Sequence, residues 1–159
     1  MCIRDRLMAG HDITEVYSPE RVTLVAKDLG LSTGLSMDIT TGWDFDRAED
    51  QRRAVTYICQ NKPLLLIGSP MCTAYSQLQT LNNTKVDPQQ PATAIKKADM
   101  HMKFVTGLYR LQLSQGRYFL HEHPWHATSW RLPTVLDLVN SEGVHVVKSS
   151  MCSFGMVAE

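Results

Sequence analysis

Paired cysteines are missing from this chain. Cys2, Cys59, Cys72 and Cys152 form no Cys-x-x-Cys pair and follow no regular spacing. That argues against a disulfide framework and leads us to expect a reducing, intracellular setting, nucleus or cytoplasm alike. Excess charge is missing too: 16 Lys plus Arg balance 16 Asp plus Glu, for a formal net charge of zero. Binding of nucleic acid by bulk charge alone is thereby disfavoured, although a catalytic part whose DNA-gripping surface lies elsewhere is not. No apolar run approaches a membrane span, and residues 1–10 hold Arg4 and Arg6 but no apolar centre, so neither an anchor nor a signal peptide is expected. Repeats and low-complexity tracts are absent.

What remains is ordinary globular material. With 159 residues, 43% of them hydrophobic and 20% charged, one domain with a sizeable core is expected. MCIRDR resembles a leader that recurs on chains translated from assembled sequencing reads. Residues 1–10 are therefore taken as non-native, and residues 11–159 as a single domain truncated at its C-terminus.

Strand and helix patterns alternate. ITEVYS (13–18) reads as a strand. Ser18-Pro19 predicts an N-cap with proline at the first helical position, and Gly30 a stop, with Val22, Val25, Ala26 and Leu29 facing inward. GLSMDI (34–39) is a second strand. Asp46 and Glu49 have capping-box spacing for a helix to about Asn61, in which Val55, Ile58 and Cys59 share an inward face. PLLLIGS is an unbroken apolar strand of the parallel-sheet kind. A polar loop, LNNTKVDPQQP, precedes a helix from about Ala92 to Gln115 with an apolar stripe of Ile95, Ala98, Met102, Val105 and Tyr109. RYFLHEH is a strand broken by Pro124, LPTVLDLVN a short helix and VHVVKS a last strand. The fold class is therefore α/β, a Rossmann-like three-layer sandwich with a mostly parallel sheet. In such sheets ligands sit beyond the carboxyl ends of the strands, where Asp38, SPMC and HEHP all fall.

Cys72 lies just past a strand end, after Pro70 has forced a turn. Unpaired N–H groups at the start of a following short helix would favour its thiolate. Taken alone, Cys72 reads rather as a small buried hydrophobe than as a nucleophile. Glu122 tips the balance. An acid between His121 and His123, two residues before Pro124, suits a sheet edge better than a core. Beside a cysteine nucleophile it has a use on a heteroaromatic ring: the thiolate adds to the ring while the acid holds a ring nitrogen.

These stretches resemble the cytosine-C5 DNA methyltransferases. GSPMCTAYS resembles their Pro-Pro-Cys motif, FLHEHP their Glu-Asn-Val motif, and VHVVKSSMCSFGM the strand and Phe/Tyr-Gly segment that follows. Similar Cys…Glu modules resemble segments of retroelement polyproteins. The resemblance implies Cys72 and Glu122 as catalytic residues, with Cys72 adding to C6 of a flipped cytosine and Glu122 binding N3. It implies substrate contacts or turn-shaping roles for Pro70, Ser76 and His123. It also implies S-adenosylmethionine as cofactor, near Tyr17, Ser18, Asp38 and Asp44. DNA is the implied partner, gripped by a target-recognition domain beyond this chain, and the isolated fragment is expected to be inactive. The chain departs from the family at Ser69 for the first proline, at Met71, which intervenes before the cysteine, and at His123 for asparagine. It has VYSPERV where the family has a Phe-x-Gly-x-Gly cofactor loop. On their sequence context alone Asp38 and Asp44 read rather as turn or cap residues than as cofactor contacts.

Three rivals are weaker. Amino-methyltransferases need an Asp/Asn-Pro-Pro-aromatic turn that SPMC does not supply. A zinc site from His121, His123 and His126 conflicts with the strand pleat and Pro124, so no metal is expected. A degenerate methyltransferase-like module of a mobile element, binding nucleic acid or protein, fits the missing glycines but not the retained Cys…Glu pair.

Overall fold

The computed structural model describes residues 10–76, 89–150 and 153. The polar loop between the third strand and the long helix therefore lies largely outside the described residues, as do Cys2, Cys152 and most of SFGMVAE.

Four short strands form one all-parallel sheet: β1 (Ile13–Val16), β2 (Thr33–Met37), β3 (Leu65–Gly68) and β4 (Tyr118–His121), in the order β2-β1-β3-β4. Among the described residues four helices connect or follow them: α1 (Val22–Asp28), α2 (Ala48–Asn61), α3 (Gln89–Ser114) and α4 (Pro133–Val139). The first crossover moves to one side of β1 and the next two move to the other. A chain that keeps one hand of crossover must then put α1 on one face and α2 and α3 on the opposite face. The packing follows this rule. Val16, Met37 and Leu66 pack with Ala54 and Ile58 of α2 and Met102, Val105 and Tyr109 of α3. Ile13 and Ile67, one residue out of step on their strands, pack with Ala26 of α1. The Rossmann-like α/β architecture expected from the sequence is thus the observed one.

In the long helix the buried stripe contains Ala98, Met102, Val105 and Tyr109, while Ile95, a turn earlier, is exposed. Gly116 stops it at φ +67. Gly68 answers a different need. A Cβ there would sit 2.0 Å from the Tyr109 hydroxyl, so the β3 end admits only glycine against this ring.

Five local expectations are corrected. Ser18 does not cap α1, which begins three residues after Pro19. The buried Glu15 carboxylate takes that place, accepting from the N–H groups of Arg21, Val22 and Thr23. On α1 it is Thr23 and Ala26 that are buried. Val22, Val25 and Leu29 are exposed, because this two-turn helix covers the sheet with only its narrowest stripe. On α2 the buried stripe is Asp50, Ala54 and Ile58, so Cys59 and Val55 face outward. Its start carries no side-chain cap, since Asp46 turns away to α3. Finally, 144–149 forms no strand, and Val147 is 82% exposed. A β-branched run without a paired neighbour does not make a strand by propensity alone.

Candidate functional site

A parallel sheet delivers every carboxyl end to one edge, and here β3 and β4 run in register with Gly68 beside His121. The Glu122 N–H then donates to the Gly68 carbonyl at 2.9 Å, extending the pairing by one step. Glu122 itself is exposed. Beyond Gly68 the chain turns through half-buried Ser69 and buried Pro70 to Cys72, which is half-buried. Cys72 heads a single 3-10 turn, Thr73–Tyr75, and its carbonyl accepts from the Tyr75 N–H. Ser76 closes this turn in extended conformation.

That turn is anchored from below. Tyr75 is buried and its hydroxyl donates to Asp99 of α3 at 2.8 Å, while burial, then this carboxylate, raises its pKa. Thr128 donates to the Tyr75 carbonyl. Neither Tyr75 nor Asp99 was signalled by the motif, since the pair is 24 residues apart and joins only in the fold.

The two histidines flanking Glu122 point inward. Their rings stack, 5.4 Å apart and 13° from parallel, with Trp130 edge-on to both and Tyr75 edge-on to His123. His121 Nδ1 is hydrogen-bonded to the Tyr109 hydroxyl at 3.1 Å. His123 is 9% exposed, and neither of its ring nitrogens has a partner. Burial, and for His121 the neighbouring His123, depresses each to a pKa of about 4. Both are therefore neutral near pH 7. Among the described residues no three His, Cys, Asp or Glu side chains converge as a metal ion would require.

At the β1 end, Tyr17 has φ +58, a left-handed backbone in a residue with a Cβ. Its ring lies against Phe45 and Phe104, and its hydroxyl is 2.9 Å from His101 Nδ1. Ser18 is buried and donates to Glu15 and to the Pro19 carbonyl. Glu15 accepts further bonds from the hydroxyls of Thr23 and Ser36. Burial alone would raise its pKa, but the hydroxyl and N–H of Thr23 and the N–H groups of Arg21 and Val22 outweigh it and hold the pKa low. A glycine-rich loop binds a cofactor by leaving backbone N–H groups open to it. Here a carboxylate of the same chain has taken them, and a pinned tyrosine stands where a glycine would. The turn does not fit S-adenosylmethionine in the manner the resemblance implies.

Asp38 follows β2 and caps the 3-10 turn Ile39–Thr41, accepting from the Thr40 N–H and hydroxyl. Asp44 accepts from the Asp46 N–H. Both thus serve as the turn and cap residues that their sequence context suggests. The signal that sequence reasoning passed over is His101. It is buried on the apolar stripe of α3 one residue before Met102, a place where an imidazole needs partners.

Two grooves of about 520 and 450 Å³ lie against α2, one beside Phe104 and Met100, the other beside Trp43 and Arg53, and neither reaches Cys72 or Glu122. No helix among the described residues is long and apolar enough to cross a membrane. Comparison with protein-family models, curated proteins and solved structures finds no match to this chain.

Proposed function

We propose that this chain is the core of a cytosine-C5-methyltransferase-like protein, and that its Cys72–Glu122 edge engages a pyrimidine base of a nucleic acid through a covalent adduct. The observation that carries the reading is the register of β3 against β4. It sets a cysteine turn and an acid just beyond neighbouring strand ends, in a sheet whose ligands are expected at that edge. The Cys72 thiolate adds to ring C6, the C5=C6 electron pair moves to C5, and C5 takes a proton. Glu122 holds N3 and favours the addition. Reversal expels the thiolate.

S-adenosylmethionine would supply a methyl group to C5. The β1 turn argues against that cofactor, because Glu15 and Tyr17 occupy the cradle it would use. This favours a second reading, a module that keeps the fold and base-engaging edge without methyl transfer.

The test uses oligonucleotides, single-stranded and duplex, with cytosine deuterated at C5. Adduct formation and reversal exchange that label with water without any cofactor. Loss of label that disappears in Cys72→Ser and falls at least tenfold in Glu122→Gln supports the adduct. Methyl incorporation from S-adenosylmethionine would restore the full enzyme reading. Binding of the oligonucleotide without exchange would leave the non-covalent module.

A further inference from the structure

The longest chain of ionisable side chains in the described structure lies outside the Cys72–Glu122 pair. Tyr17 Oη is 2.9 Å from His101 Nδ1, His101 Nε2 is 3.0 Å from Asp46 Oδ1, and Asp46 Oδ2 is 2.5 Å from Lys97 Nζ. We propose that Tyr17, His101 and Asp46 form a proton relay that serves base chemistry at this edge, with Tyr17 as the group that meets the base. This rests on the reading above and names the acid–base group that reading lacks.

Position is the first argument. The chain leaves β1 toward β2 on one side and leaves β3 toward β4 on the other, so the crevice between β1 and β3 is the topological switch point. Tyr17 is the first residue past β1. Across from it the Ser69 N–H donates to the Val16 carbonyl, at the start of the turn that leads to Cys72. The two sides are also tied to one stretch of α3, Tyr17 through His101 and Tyr75 through Asp99.

Polarity is the second. Asp46 is held below the usual carboxylate range, first by the hydrogen bond from Lys97, with the Lys97 charge adding to it. A carboxylate only accepts, so a neutral His101 carries its proton on Nε2 and presents Nδ1 as an acceptor. Tyr17 must then donate to Nδ1. The same order of donor, imidazole and carboxylate activates the hydroxyl of a Ser-His-Asp triad.

Access is the third. His101 is 5% exposed, whereas the Asp46 side chain is 42% exposed. The imidazole is thus shielded from water, while the carboxylate that orients it stays at the surface. The groups facing the imidazole are Tyr17 from the β1 turn, Asp46 from the loop before α2 and Lys97 from its own helix, with Asp44 adding to the field at Lys97. Backbone strain is the fourth. Tyr17 holds a left-handed conformation that glycine would adopt freely, and such outliers persist where the side chain has a use.

The step balances as follows. In the adduct, Tyr17 oxygen takes the C5 proton as its own proton moves to His101 Nδ1. The C5–H pair re-forms the C5=C6 bond, the C6–S bond breaks and the thiolate leaves. Once the base has left, the Nδ1 proton returns to the Tyr17 oxygen as the former C5 proton passes to water in the open crevice, which restores the ring with its proton on Nε2 toward Asp46. Addition is the reverse.

The experiment is cofactor-free exchange of the C5 label across pH, in wild type, Tyr17→Phe, His101→Gln and Asp46→Glu. Positioned acid–base groups contribute about 10²–10⁴-fold, so Tyr17→Phe and His101→Gln should slow exchange by that range. Oligonucleotide affinity should stay within about threefold in both, and Asp46→Glu should retain much of the rate. A role confined to holding the fold would move affinity and melting together with the rate. Exchange abolished by Cys72→Ser but untouched by Tyr17→Phe overturns the relay and leaves the adduct standing. No Cys72-dependent exchange in wild type overturns both. Nitrogen-15 shifts of His101 give a check independent of turnover: a proton on Nδ1 in the neutral ring also sinks the relay.

Discussion

Acidification should unfold this protein through the histidine pair. His121 and His123 are neutral inside the fold, with pKa values of about 4 against 6.5 for an exposed imidazole. The unfolded chain therefore binds protons that the folded chain refuses. The sign follows: stability is fully present above about pH 6.5, is lost progressively as pH falls toward 4, and stops falling below that. For His121 the gap is about 2.5 pH units. At about 1.4 kcal/mol per unit that is roughly 3 kcal/mol, a large share of the 5–15 kcal/mol typical of a whole domain. His123 adds in the same direction. The assay is urea unfolding at half-unit steps from pH 7 to 4.5, in wild type and His123→Phe. That substitution removes two ring nitrogens that have no partner, so it breaks no hydrogen bond. Neutral-pH stability should rise by about 1 kcal/mol, the usual scale of an unsatisfied buried group, and the slope against pH should fall. Asp46, Asp50 and Glu15, all held below the usual carboxylate range, also favour unfolding in acid. They act equally in both proteins and cancel in the difference. Equal slopes in the two proteins would refute the reasoning, because His123 would then be taking up no proton on unfolding.

Two further outcomes are expected from the sheet. Glu15→Gln keeps the size of the side chain but weakens the charge-assisted bonds that hold the start of α1, and it should cost about 2–4 kcal/mol, read as a lower urea midpoint with an unchanged m-value; a loss under 0.5 kcal/mol would contradict the capping role. Gly68→Ala forces a methyl group into the Tyr109 hydroxyl, which His121 holds in place, so a loss of about 1–3 kcal/mol is expected, whereas a neutral outcome in thermal melts would mean that the β3 end relaxes freely.

Much of the architecture was legible in short stretches because its causes are local. LLLIG is apolar on both faces, as a strand inside a parallel sheet must be, and Gly116 stands where the long helix has to stop. The reading failed where a residue's partner is distant. His101 and Tyr17 are 84 positions apart, and only the fold shows that each answers the other. Asp46 has capping-box spacing toward Glu49, yet Lys97 and His101 outbid that local bond. The run 144–149 shows the reverse case, local β-propensity with no neighbouring strand paired to it among the described residues.

The β1 turn joins these two kinds of cause. The lack of glycine in VYSPERV and the acid inside ITEV share one physical origin. N–H groups at a helix start must find an acceptor. Where a loop opens itself to a ligand, the ligand can be that acceptor. Here Arg21, Val22 and Thr23 find it in Glu15, six to eight residues earlier in the chain. A charged residue on a buried strand face is costly unless it is so satisfied, which makes a lone acid between Ile13 and Val16 a legible signal that the following turn is closed from within.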